Sequence, residues 1–185
     1  MILTKDELKD VIRIEKEHCN KIDVYKKYTI NEAVAIAKYL KYMRRQEYYY
    51  NNIRDGKKLP HMYLGFWFNS LKKNKLGNKL GISIEMSSNI EPGLLIYHPG
   101  SIVIHKKAVI GKNLKLHGNN CIGNKGINGK DDLPTIGDNC DMGYGSVVIG
   151  KIKIGNNVKI GANSVVTKDI PDNTTVVGIP ARKIN

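Results

Sequence analysis

Among the side chains of this sequence that do chemistry near neutral pH, two of five histidines stand out by their spacing. An imidazole with a pKa of about 6.5 can take the proton of an attacking hydroxyl and return it to a leaving group. His98 interrupts a row of aliphatic residues that recurs every six positions, and His117 directly follows one member of that row, Leu116. His18, His61 and His105 have no such placement and read as surface or packing residues. The three cysteines, Cys19, Cys121 and Cys140, lack both C-x-x-C spacing and a disulfide framework, so they read as reduced and structural and no metal is expected.

The elements that position these histidines are read from the repeat itself. From Met86 onward the lead residues are Met86, Pro92, His98, Ile104, Ile110, Leu116 and Ile122. After eight extra residues they continue as Ile136, Met142, Val148, Ile154, Ile160 and Val166. A period of six is not a helix face, and it is too short for a hairpin repeat. Three such units make one triangular coil of about eighteen residues in a parallel β-solenoid, with lead residues inward and stacked from coil to coil. About five coils fit. The eight extra residues cannot lie in a flat side, so a loop leaves the solenoid at 126–134, carrying Asp131 and Asp132.

The first half has a helical period. Thr4 and Glu7 have capping-box spacing ahead of Leu8, Val11 and Ile12, and Thr29 and Glu32 repeat it before an apolar face that runs toward residues 44–50. Residues 51–60 read as a loop, and the aromatic stretch Tyr63, Trp67, Leu71 has a type left open. The chain therefore divides into a small helical domain, 1–83, and a solenoid domain, 84–185, for a fold that is mainly β.

The net charge is +13, of which +9 falls in residues 1–83. It is spread at helical spacing, without a helix-turn-helix or RNA-binding signature, so no nucleic-acid partner is expected. A solvated basic face or a phosphate-bearing substrate fits instead. The N-terminus has no signal-peptide pattern and the apolar stretches are short, which predicts a cytoplasmic protein without a membrane span.

The aliphatic-Gly hexads, the His98-Pro99-Gly100 segment, the projecting loop and the ending Val176-Val177-Gly178-Ile179-Pro180-Ala181 together resemble the serine acetyltransferase branch of the hexapeptide-repeat acyltransferases, over roughly residues 84–184. The resemblance implies a left-handed β-helix. It also implies a homotrimer with acetyl-CoA as cosubstrate between adjacent subunits, with pairing of two trimers left open. It puts the family's catalytic histidine on His98; His117, one eighteen-residue coil further on, is expected on the outer surface beside it, as an acceptor-binding or proton-sharing residue or as a solvent-facing turn residue. The coenzyme positions fall on Gly143, Gly161, Ala162, Thr167, Lys168 and Arg182.

Departures from the serine enzymes carry the expectation about the acceptor. The projecting loop has Asp132-Leu133-Pro134 where the family has Arg-His-Pro. Tyr97 replaces the acidic residue before the catalytic histidine. Ser83 stands at the aspartate that orients it, which leaves Glu85 as a substitute. The stretch from Arg44 to Tyr49 looks like family members found with polysaccharide synthesis. The expected activity is thus transfer of acetyl from acetyl-CoA to a hydroxyl of a sugar or polysaccharide precursor. His98 is the general base, with Tyr97, Asp131 and Asp132 on the acceptor. Serine O-acetylation in cysteine biosynthesis is the alternative.

Overall fold

The computed structural model describes residues 1–23, 30–86, 89–126 and 132–184. Three helices come first, α1 (Lys5–Asp23), α2 (Ile30–Arg54) and α3 (Pro60–Leu80). The first capping box forms: Glu7 Oε2 accepts the Thr4 N–H at 2.9 Å, and Thr4 Oγ1 accepts the Glu7 N–H at 3.1 Å. The second rests on Thr29, outside the described residues. Residues 51–54, expected in a loop, continue α2 instead. Their asparagines are polar for an internal reason: Asn51 Nδ2 donates to Ile2 O and Asn52 Nδ2 to Leu3 O, tying down the N-terminus. The aromatic stretch left open is part of α3, which starts on Pro60 and ends on the left-handed Gly81.

The rest is a left-handed parallel β-helix with three sides. One side joins β1 (Ile82–Ile84), β3 (Ile102–Ile104), β6 (Cys121–Gly123), β9 (Val147–Ile149) and β12 (Val165–Val166). The second joins β4 (Val109–Ile110), β7 (Thr135–Ile136) and β10 (Lys153–Ile154). The third joins β2 (Leu95–Ile96), β5 (Lys115–Leu116), β8 (Asp141–Met142), β11 (Lys159–Ile160) and β13 (Thr175–Val177), closed by the antiparallel β14 (Arg182–Lys183). The inward column of the third side is Ile96, Leu116, Met142, Ile160, Val176, all buried.

The register corrects the hexads ahead of Ile104. Ile84 pairs with Ile104, Ile90 with Ile110 and Ile96 with Leu116, so these three isoleucines are the inward residues of the first coil, not Met86, Pro92 and His98. That coil is two residues longer than the plain one from Ile104 to Ile122. The surplus is absorbed at the corner after Ile96, where Gly100 has φ 145° and its carbonyl takes the Ile102 N–H at 2.7 Å. His98 therefore sits on a corner and does not replace a core residue. The eight-residue insertion is where expected: Ile122 pairs with Val148 and Ile110 with Ile136 across it.

Asparagines, unread in the sequence, turn the corner between the second and third sides. Asn113, Asn139, Asn157 and Asn173 all hold φ of 56–57°. Their amides form a ladder, at 2.9 Å from Asn113 to Asn139, 3.3 Å to Asn157 and 2.9 Å to Asn173.

The helices lie on the open top coil and satisfy its unpaired backbone groups. Arg44, fully buried, donates to Ile90 O at 2.7 Å and Glu91 O at 3.0 Å while holding Glu15 and Glu47. Lys73 Nζ donates to Ile84 O, and Tyr39 OH accepts the Ile84 N–H. One core runs from Ile36, Leu40 and Met43 of α2 down the aliphatic column.

Candidate active site

The corner that follows the third side gathers most of the expected site. The registers Ile96–Leu116–Met142–Ile160–Val176 put the next residues, Tyr97, His117, Gly143, Gly161 and Val177, in one line down this edge. His98 and Ala162 come one residue later in the same turns. Gly143 and Gly161 allow the coils to touch, for a Cβ on Gly143 would lie 2.7 Å from Ala162 N and 2.9 Å from Ile160 O. Arg182 pairs with Val177 at the foot of the edge.

The Tyr97 and His117 rings stack at 4.5 Å with 22° between their planes. His117 Nε2 lies 2.8 Å from Asp141 Oδ1. The carboxylate favours the tautomer with the proton on Nε2, which leaves Nδ1 as an acceptor. Burial, together with the Asp141 charge, pushes the Tyr97 phenol above its ordinary value, so it stays a donor. His98 is half-buried on the corner above.

Other expected site residues lie elsewhere. Glu85 is exposed, its N–H bonds Ile104 O at the far end of β3, and its charge acts on Lys73; it is not brought to His98. The misplaced first coil is the reason, since Glu85 lines up with His105 once Ile84 pairs with Ile104. Thr167 and Lys168 follow β12 and so lie on that far edge too, across the width of one side from Gly161 and Ala162. Asp132 is exposed at the base of the loop between β6 and β7; Asp131 lies outside the described residues.

No family model matches the chain. The serine acetyltransferase of Synechococcus elongatus is 38% identical over 104 residues, 56% of this chain and 43% of that one. The serine acetyltransferase of Staphylococcus epidermidis is 42% identical over 100 residues, 54% of this chain and 47% of that one. The chain thus spans less than half the length of these curated relatives. Among solved structures, the serine acetyltransferase of Neisseria gonorrhoeae matches with a TM-score of 0.73 at 24% identity, over 98% of this chain and 68% of that one. The soybean serine acetyltransferase apoenzyme matches with a TM-score of 0.72 at 25% identity, over 96% and 69%.

The chain has the hexapeptide-repeat fold of the serine acetyltransferase-like branch.

These relatives overturn the expectation of a sugar hydroxyl as acceptor, since the proteins matched are serine acetyltransferases. The physical case for sugar rested on loop charge, and Asp132 is exposed, where solvent reduces its repulsion to about 1 kcal/mol at 4 Å. The likeness to polysaccharide-associated proteins finds no support either: Arg44 and Glu47 form a buried ion pair under the helices.

Two residues of this edge were not read from the sequence. Asp141 precedes the lead Met142, and the pairing of Leu116 with Met142 sets it diagonally across from His117. Asn120 was visible as the one residue neither small nor aliphatic among those four places after each lead, a row that also holds Ser146 and Ser164. It is fully buried, accepts the Gly118 N–H at 2.9 Å and donates to Gly143 O at 2.8 Å, bracing the turn that carries His117.

Proposed function

We propose that the protein is an acetyl-CoA-dependent serine O-acetyltransferase acting in cysteine biosynthesis. The solenoid, 84–185, carries the chemistry and the helical part, 1–83, caps it. The observation that carries this reading is the identity of 38% over 104 residues and 42% over 100 residues to serine acetyltransferases.

In this reading His98 takes the proton of the serine hydroxyl as its oxygen attacks the thioester carbonyl. The carbon–sulfur bond breaks, and the proton passes to the departing thiolate, leaving O-acetylserine and coenzyme A. His117, held by Asp141, and the Tyr97 phenol bound the acceptor. The backbone at Gly143, Gly161 and Ala162 lines the pantetheine, and Arg182 meets a phosphate. Thr167 and Lys168, on the far edge, reach the same coenzyme only from a neighbouring copy, which supports a homotrimer with shared sites.

The test is to supply L-serine and acetyl-CoA and follow free thiol together with O-acetylserine by mass spectrometry. Stoichiometric appearance of both is expected; hydrolysis of acetyl-CoA without an acetylated amino acid would overturn the reading.

A further inference from the structure

Helix α3 buries its C-terminal Leu80 and packs Leu76 on the core, but over its first three turns the polarity is reversed. Three of its polar residues face the protein: Ser70 Oγ takes a hydrogen bond from Gln46 and gives one to Phe66 O, Asn69 donates to Gly65 O, and the buried Lys73 reaches Ile84 O. Its large apolar residues face outward at i, i+3, i+4 and i+7: Leu64 is 72% exposed, Trp67 62%, Phe68 52% and Leu71 65%. A surface helix ordinarily turns this stripe to the core, and a contiguous exposed apolar patch marks an interaction surface.

The charge along α3 itself is of one sign. Between Asp55 and Glu85 the sequence has six lysines and no carboxylate. Lys58, Lys72, Lys75 and Lys79 are exposed, and Lys72 stands 5.4 Å over the Phe68 ring. The adjoining groove between α1 and α3 adds Lys5 and Arg45, while Lys9 there is paired with Asp6 at 2.9 Å.

We propose that this face of α3 docks on an anionic lipid bilayer. Aromatic and leucine side chains flanked by lysines suit an interface that is apolar below and negatively charged above. None of the described helices is long and apolar enough to cross a membrane, so the contact is with its surface. A second copy on this face would bring lysines against lysines. A peptide helix would seat in the groove that Leu64 and Phe68 line, whereas Trp67 and Leu71 stand outside it on the crest of α3, which a fluid surface accommodates. This inference is independent of the acetyl acceptor.

Trp67 is the protein's single tryptophan, so its emission reports on the face directly. Phosphatidylcholine vesicles containing phosphatidylserine should shift the emission to the blue and sediment the protein, in a salt-dependent way, while pure phosphatidylcholine should do so far more weakly. Lys72→Glu, Lys75→Glu and Lys79→Glu together should weaken binding more than a hundredfold, as each lysine near such a surface contributes about fivefold. Leu64→Ser with Leu71→Ser should remove the blue shift. All five side chains are exposed, so circular dichroism should be unchanged in both variants. No shift with anionic vesicles, or wild-type binding by the lysine variant, would overturn the proposal. A blue shift that grows with protein concentration in the absence of lipid would also overturn it, by showing that two copies pair through this face.

Discussion

His117 and Asp141, twenty-four residues apart, meet at 2.8 Å through Nε2 and Oδ1 across neighbouring coils. This carboxylate holds a different histidine from the one that the family resemblance makes the base. Replacing His98 by alanine should lower turnover by about 10² to 10⁴, the range for loss of a general base, with the fold intact. Asp141→Asn keeps the shape and removes the charge. A hydrogen bond to a charged group is worth about 1.5–3 kcal/mol, or roughly ten- to hundredfold. That loss should vanish when His117 is already alanine, which a double-mutant cycle in steady-state kinetics would measure.

The two edges of the last coils make a separate prediction. Arg182→Ala and Lys168→Ala should each raise the Michaelis constant for acetyl-CoA with turnover largely kept. If one coenzyme spans two copies, mixing the two variants after unfolding and refolding should return some sites with both cations. Acetyl-CoA titration of the mixture by calorimetry would then reveal a class of sites with wild-type affinity. Its absence would place both residues in one copy's site or in none.

Arg44 makes the third. Burial pushes the Glu15 and Glu47 carboxyls up, and the arginine opposes that. Arg44→Ala would leave two carboxylates and two carbonyls without their partner, a loss of about 3–5 kcal/mol. Urea denaturation should register it as a lower midpoint, with the Glu15→Gln, Arg44→Met pair recovering part of the difference.

Alkaline pH provides the fourth. Burial raises the Cys19 thiol to about 11 from an ordinary value near 9 and the Tyr39 phenol to about 12 from near 10. The folded state binds these protons more tightly, so their contribution is complete below pH 9 and is lost as pH rises through 11 to 12. Stability should fall across that window by on the order of 2 kcal/mol per group. Tyr39→Phe should flatten the upper part of the fall in urea melts at stepped pH.

From Ile104 to Val166 the inward residues were legible because burial on every turn enforces aliphatic side chains at a strict period. The first coil misled because Met86, Pro92 and His98 keep the same spacing as the true column of Ile84, Ile90 and Ile96, and a two-residue surplus at a corner is invisible to periodicity. His117 was legible from its place after Leu116. Asp141 was not, since it pairs with Lys115 and reaches His117 on a diagonal that depends on side-chain direction and not on the period. The length of α3 was hidden by its reversed polarity, which gives no ordinary amphipathic signal.

A parallel solenoid has no intrinsic last coil, since each rung presents the same row of donors and acceptors that it accepts from the rung before. Here Arg44, Lys73 and Tyr39 occupy that row at one end and the antiparallel β14 turns back over the other. The molecule is thereby a finite piece cut from a potential filament. The groups that close its ends do for polymerisation what a chain terminator does for a growing polymer.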